Sequence, residues 1–217
     1  MKNILDISLL LIAAYLIGAI PTSVWVGKIF FNKDVRDYGS GNAGATNVMR
    51  TFGPFIGIPV LLIDIFKGFM AVKFLNLFPS FIPGSNGFVN LQIGMGIVAI
   101  VGHIFPIYAQ FRGGKGVATI FGVLLALSPF ATLCAGGIFL LVLLISKYVS
   151  VSSITAGLSF PVWIIVVFQT SFISLGIFSG AVAFLIIFTH RKNINRLING
   201  KENKAGFLFK EKKSVNR

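Results

Sequence analysis

The stretch VATIFGVLLALSPFATLCAGGIFLLVLLI, residues 117–145, decides how this chain is organised. It carries no charge, and only Ser128-Pro129 interrupts it. Read as one helix, it crosses a bilayer once. Read as two, 117–127 and 130–145, it crosses twice, and every later loop changes side. The surrounding composition leaves no doubt that a bilayer is the setting. The 217 residues are 55% hydrophobic and 12% charged, and the mean hydropathy is +0.88. Such values belong to multi-span helical membrane proteins.

A bilayer core takes about 20 apolar helical residues, and shorter helices are tolerated inside bundles. Working outward, the other candidate spans are residues 4–29, 55–78, 91–108, 152–168 and 172–188. Charge then settles the central stretch. With seven spans and the amino terminus outside, loops 32–53, 109–116 and 147–151 and the tail from 190 face the cytoplasm. Those segments hold Lys33, Arg36, Arg50, Arg112, Lys115, Lys147 and the basic tail, whereas the outer segments offer Lys2 and nothing between Phe78 and Leu91. Positive residues concentrate on the inner side of membrane proteins, so the two-helix reading is preferred. The expectation is an all-α, seven-helix membrane bundle over 1–202, followed by a basic cytoplasmic tail over 203–217. The stretch 4–31 is too long for a cleavable signal peptide and lacks its small-x-small site. No internal repeat and no second domain is visible.

The net charge of +13 follows from this placement, and nucleic acid explains it poorly, because few cations lie outside short loops and the tail. The single Cys134 reads as apolar filler, with no disulfide within one chain and no metal-ligand cluster. Asp64 and Lys67, three residues apart in the second span, share a helix face. Either they form an ion pair that locks the helix into the bundle, or they belong to a proton or ion relay. The ion pair is favoured, since no other intramembrane acid or base continues a path.

Three polar cassettes fall on one side in the seven-span arrangement. The first runs Gly39-Ser40-Gly41-Asn42-Ala43-Gly44-Ala45-Thr46-Asn47, followed by Arg50. Glycines let successive N–H groups curl around an anion, the hydroxyl and amides bond phosphate or polyol oxygens, and Arg50 adds a forked cation. The bland alternative is a flexible turn with a helix cap. The spacing is neither a Walker loop nor a dinucleotide fingerprint. The second runs Gly102-His103-Ile104-Phe105-Pro106, then Phe111-Arg112-Gly113-Gly114-Lys115-Gly116-Val117-Ala118-Thr119. Its glycine-lysine turn opens a helix, and a helix N-terminus with a lysine beside it favours anions. His103 reads as either a structural or a catalytic histidine. The third is His190-Arg191-Lys192-Asn193-Ile194-Asn195-Arg196, where His190, Asn193 and Arg196 form one stripe if the helix continues. Snorkelling accounts for Arg191 and Lys192. Ser150, Ser152 and Ser153 add hydroxyls on the same side, one for the site and the others as helix caps.

These cassettes, in this order, resemble one family, the bacterial membrane acyl-phosphate:glycerol-3-phosphate acyltransferases. Gly39 to Arg50 matches its Gly-Ser-Gly-Asn-x-Gly-Ala-Thr-Asn-x-x-Arg pattern, Gly102 to Thr119 its Gly-His-x-Phe-Pro and Gly-Gly-Lys-Gly-Val-Ala-Thr block, and His190 to Glu202 its His-Arg-x-Asn-Ile-x-Arg-Leu-x-x-Gly-x-Glu block. Arg112 stands where many members have lysine. The resemblance implies acyl transfer from acyl phosphate to the 1-hydroxyl of glycerol 3-phosphate, at the cytoplasmic face of the bacterial inner membrane, without cofactor or metal. It implies catalytic roles for Ser40, Arg50, Lys115, His190 and Asn193. Substrate contacts are expected from Gly39, Gly41, Asn42, Gly44, Thr46, Asn47, Gly113, Gly114, Gly116, Ser153 and Arg196. Membrane lipid and the cytosolic enzyme that makes acyl phosphate are the implied partners.

The residues themselves favour catalysis by positioning. His103 leads to Tyr108 and His190 to Asn195, so no His-x4-Asp arrangement exists, and no cysteine or Gly-x-Ser-x-Gly nucleophile is present. A transporter or channel for a phosphorylated metabolite could use the same anion loops. Such proteins place their sites near the midplane between inverted repeats, a pattern absent here.

Overall fold

The computed structural model describes residues 2–78, 80–206 and 208; of the expected basic tail, residue 207 and residues 209–217 lie outside them. Among the described residues the chain is helical throughout, with no strand. Within lipid a backbone must satisfy its own polar groups, which helices do. The helices are α1 (Lys2–Gly18), α2 (Thr22–Phe31), α3 (Ala45–Phe52), α4 (Pro54–Lys73), α5 (Asn86–Ile104), α6 (Val117–Leu127), α7 (Pro129–Ser146), α8 (Val149–Val162), α9 (Ile173–Thr189) and α10 (Arg191–Ile198).

The central stretch does divide at Ser128, with Pro129 as the first residue of α7. Among the described residues, four helical segments can cross a membrane by length and hydropathy: Pro54–Leu77, Asn86–Ala109, Pro129–Ser146 and Val149–Val167. Two bent pairs, α1 with α2 at 42° and α9 with α10 at 56°, raise the number to six if each pair is one span. With 11 residues, α6 rises only about 16 Å against a core of about 30 Å. Two expectations change shape here. The first span is broken at Pro21, which has no N–H to continue the ladder, and the stripe of the third cassette bends because α9 stops before His190.

Glycine sets the spacing of the helices around the site. A methyl on Gly122 of α6 would lie 1.9 Å from Ile65 O of α4, and one on Gly68 would lie 2.2 Å from Thr119 O. The two helices therefore meet backbone to backbone, as small residues permit in membranes. Gly18 and Gly102 do the same for α1 and α5. One apolar cluster, including Val123, Phe160, Ile164 and Val182, fills the space among α5, α6, α8 and α9. A second joins α1, α4 and α5 around Leu10, Leu75 and Met95. A third, with Val35, Ala43, Val48, Val60 and Ala109, forms a floor beneath the first cassette. Large apolar side chains such as Phe55, Ile173 and Ile177 point outward, which suits a surface wetted by lipid.

Candidate active site

The first cassette is a loop wound back onto α3. Gly39 and Gly41 adopt left-handed φ of 59° and 70°, which glycine reaches without strain. A Cβ on Gly39 would also fall 2.3 Å from Asn47 Oδ1. Asn47, 1% exposed, accepts from Ser40 N–H at 2.8 Å and donates to Val35 O and Tyr38 O at 2.8 and 3.0 Å. Its amide is thus engaged in shaping the loop. Gly44 caps α3, and half-buried Thr46 stands in the first turn, where helix geometry leaves N–H groups without backbone partners. Asn42 Oδ1 and Arg50 Nε are buried without a partner among the described residues. Such atoms cost about 1–3 kcal/mol each unless a ligand or water meets them.

The second cassette is held by the end of α5. After Ile104 the chain turns at Pro106 and comes back, so that Gly113 N–H bonds Ile104 O at 3.1 Å and Gly114 N–H bonds His103 O at 3.2 Å. Those two N–H groups therefore close the turn. Gly116, at φ 83°, caps that helix. A methyl on Gly114 would meet Ala43 O at 2.8 Å, so the first two cassettes touch. Arg36 reinforces the junction: Asp34 holds its guanidinium at 2.6 Å, and its Nη1 donates to Ala109 O and Arg112 O at 2.9 and 3.2 Å.

Lys115 joins the second cassette to the third, its Nζ donating to Asn193 Oδ1. Asn193 Nδ2 donates in turn to Glu202 Oε1 at 2.6 Å. Glu202 also accepts from Ser150 Oγ at 2.8 Å and from Arg196 Nε at 2.7 Å. The chain just beyond crosses over Arg50, whose Nη2 donates to Asn203 O at 3.2 Å. His190 Nδ1 lies 2.8 Å from Ile186 O; a carbonyl only accepts, so Nδ1 carries the hydrogen and Nε2 is left to accept.

Glu202, at the end of the third motif, is a functional residue that the sequence reading does not single out. Its signal was there: a single acid following a basic stretch. Ser150, not Ser153, reaches this hub. Ser152 and Ser153 bond Tyr148 O and Val149 O of their own helix, and no side chain caps α8, which corrects the expectation of serine caps. Ser40 is half-buried at the loop crest.

Electrostatics follow from burial. Burial pushes Lys115 down to about 8, with Arg196 and Arg50 adding to the fall and Glu202 opposing it. Burial also lowers Arg50. For Glu202 burial acts upward, yet bonds from Arg196, Asn193 and Ser150 outweigh it and hold the carboxyl below its usual range. A partly dehydrated ammonium among two guanidiniums is a site for a multiply charged anion.

Comparison with known proteins gives this arrangement a family. A family model described as Glycerol-3-phosphate acyltransferase matches residues 8–200. The chain belongs to that family. It is 44% identical to the glycerol-3-phosphate acyltransferase of Staphylococcus carnosus, over 93% of this chain and 99% of that one. It is 43% identical to that of Fusobacterium nucleatum, over 91% and 97%. Among solved structures it resembles the crystal structure of PlsY (YgiH), an integral membrane glycerol 3-phosphate acyltransferase, in its glycerol 3-phosphate form. There the TM-score is 0.82 and the identity 35%, over 94% of this chain and 97% of that one. For the lysophosphatidic acid form the TM-score is 0.76. The protein is thus an all-helical integral membrane acyltransferase, and the acyltransferase family covers all three cassettes.

Proposed function

We propose that this protein transfers a fatty acyl group from acyl phosphate to the 1-hydroxyl of sn-glycerol 3-phosphate, releasing lysophosphatidic acid and phosphate. The observation that carries the reading is the Lys115–Asn193 contact, which ties the second and third cassettes together beside Arg50 of the first. Two substrates each bearing a phosphate need such a shared field.

Lys115 and Arg50, with N–H groups at the starts of α3 and α6, hold the phosphates and offset charge that builds as the acyl carbon is attacked. Ser40, Asn193 and the Nε2 of His190 orient the glycerol hydroxyl. The new ester C–O bond forms as the acyl carbon–phosphate oxygen bond breaks, and a donor phosphate oxygen takes the hydroxyl proton. Substrate contacts at Gly39, Gly41, Asn42, Gly44, Thr46 and Gly116 shape the anion pocket, and Arg196 acts through Glu202. In this reading seven segments cross the inner membrane with the amino terminus outside. The bent pair α1 with α2 counts as one span, α6 as a short one, and the site faces the cytoplasm. The acyl chain lies between helices and is open to lipid. The cytosolic enzyme that makes acyl phosphate would deliver the donor there.

The test is purified protein with glycerol 3-phosphate and palmitoyl phosphate, scored for lysophosphatidic acid and phosphate. Equal amounts of both products are expected. Product from an acyl thioester and none from acyl phosphate contradicts the donor.

A further inference from the structure

We propose that His103 is a positioning residue that sets the place of Lys115, an inference that rests on the function proposed above. The histidine grips the lysine turn on both sides. Before Lys115, its carbonyl accepts Gly114 N–H at 3.2 Å, and its imidazole lies so close to Gly114 that a Cβ there would be 2.3 Å from Nε2. After Lys115, its Nδ1 pairs with Thr119 Oγ1 at 3.0 Å. Thr119 is fully buried in the first turn of α6. One side chain therefore fixes both the residue before the lysine and the helix turn that follows it.

The imidazole is buried beside a bonded polar cluster. Asp64 Oδ1 lies 3.9 Å from its Nδ1. The same oxygen accepts from Lys67 Nζ at 2.9 Å and from Thr22 Oγ1 at 3.1 Å. Lys67 Nζ also donates to Ile20 O at 2.7 Å, at the break between α1 and α2. The expected Asp64–Lys67 pair is thus present, but it does not stand alone in the membrane, as the sequence had suggested: His103 adjoins it. A cavity of about 10 Å³ is lined by Asp64, Lys67 and His103 together with Ala43, Gly113 and Gly114, room for roughly one water. The bonded cluster of Thr22, Asp64 and Lys67 at the broken helix thus abuts the imidazole that bonds Thr119 beside the lysine turn. The bonds of His103 run to the turn and to α6, not to Arg50, Asn193 or Glu202, so it is placed to position Lys115 rather than to touch a reacting atom.

The experiment compares wild type, His103→Leu, His103→Asn and Thr119→Val in the acyl-phosphate assay, with KM for glycerol 3-phosphate and kcat measured separately. Loss of one polar anchor at Lys115 should raise KM roughly tenfold or more in His103→Leu, with kcat changed by less than about threefold. His103→Asn keeps a polar atom near the place of Nδ1 and should bring KM back to within about threefold of wild type. Thr119→Val removes the same bond from the other side with the side-chain shape preserved, so it should reproduce the KM rise even if His103→Leu does not fold. A wild-type KM in Thr119→Val, or in a folded His103→Leu, overturns the proposal. So does a collapse of kcat shared by Asn and Leu with loss of one limb of the pH–rate profile, which would make His103 an acid or base. Turnover by wild type tests the function itself, and the variant-to-wild-type ratio tests this inference alone.

Discussion

Raising the pH from 7 to 9 should titrate the ammonium on which the phosphate pocket depends. Burial holds Lys115 at about 8 in the unliganded protein, so the charged form that binds substrate dominates at pH 7. One unit above its pKa about a tenth of the lysines keep the proton. The second ionisation of a phosphate monoester, near pH 6, is already complete across this window, and guanidinium groups in general do not titrate within it. The fall in kcat/KM for glycerol 3-phosphate should therefore be about tenfold between pH 7 and 9, on a limb centred near 8. A charge-assisted hydrogen bond is worth about 1.5–3 kcal/mol, so Lys115→Met should cost roughly 10- to 100-fold at pH 7 and remove the limb. Lys115→Arg, charged beyond pH 12, should lose the limb while keeping some activity; its absolute rate is secondary to the shape of the profile. Initial rates at low glycerol 3-phosphate, buffered every half unit, give the answer. A flat wild-type profile over this range, or an identical limb in Lys115→Arg, refutes the reasoning.

Glu202→Ala leaves Asn193 Nδ2, Arg196 Nε and the Ser150 hydroxyl without their acceptor; the cost should be about 1–3 kcal/mol, or roughly 2–12 °C in Tm for a chain of this size. Differential scanning fluorimetry in detergent checks it, and an unaltered Tm contradicts the hub. Gly122→Ala puts a methyl 1.9 Å from Ile65 O and should part α4 from α6, whereas Gly137→Ala enters open space and should leave Tm unchanged; equal behaviour of the two contradicts the packing argument.

Much of the site's assembly was legible because the signals were chemical and local. Glycines beside a lysine at a helix start, an arginine one helical turn past an asparagine, and a histidine where a span ends each point to an anion loop. The division of residues 117–145 was legible from the charge of distant loops. What stayed hidden depends on contacts that no spacing encodes. Proline is tolerated within membrane helices when neighbours satisfy the freed carbonyl, so Pro21 did not declare a break; at the break the Ile20 carbonyl accepts from Thr22 N–H and from Lys67 Nζ, a donor far along the chain. Asn47 looked like a ligand because an amide in a polar loop has that chemistry, and only the fold of the loop over α3 turns it inward. Glu202 was masked by its basic neighbours, although its carboxylate gathers three donors from α8 and α10.

The decisive measurement is the sidedness of the three loops. Single cysteines at the exposed positions Lys33, Arg112 and Lys192, in a Cys134→Ala background, can be probed with an impermeant maleimide on intact spheroplasts and again after permeabilisation. The account predicts that all three are protected in intact cells and labelled once the inner face is opened. Labelling of any one from outside would separate the cassettes across the membrane and leave no shared pocket for two phosphorylated substrates.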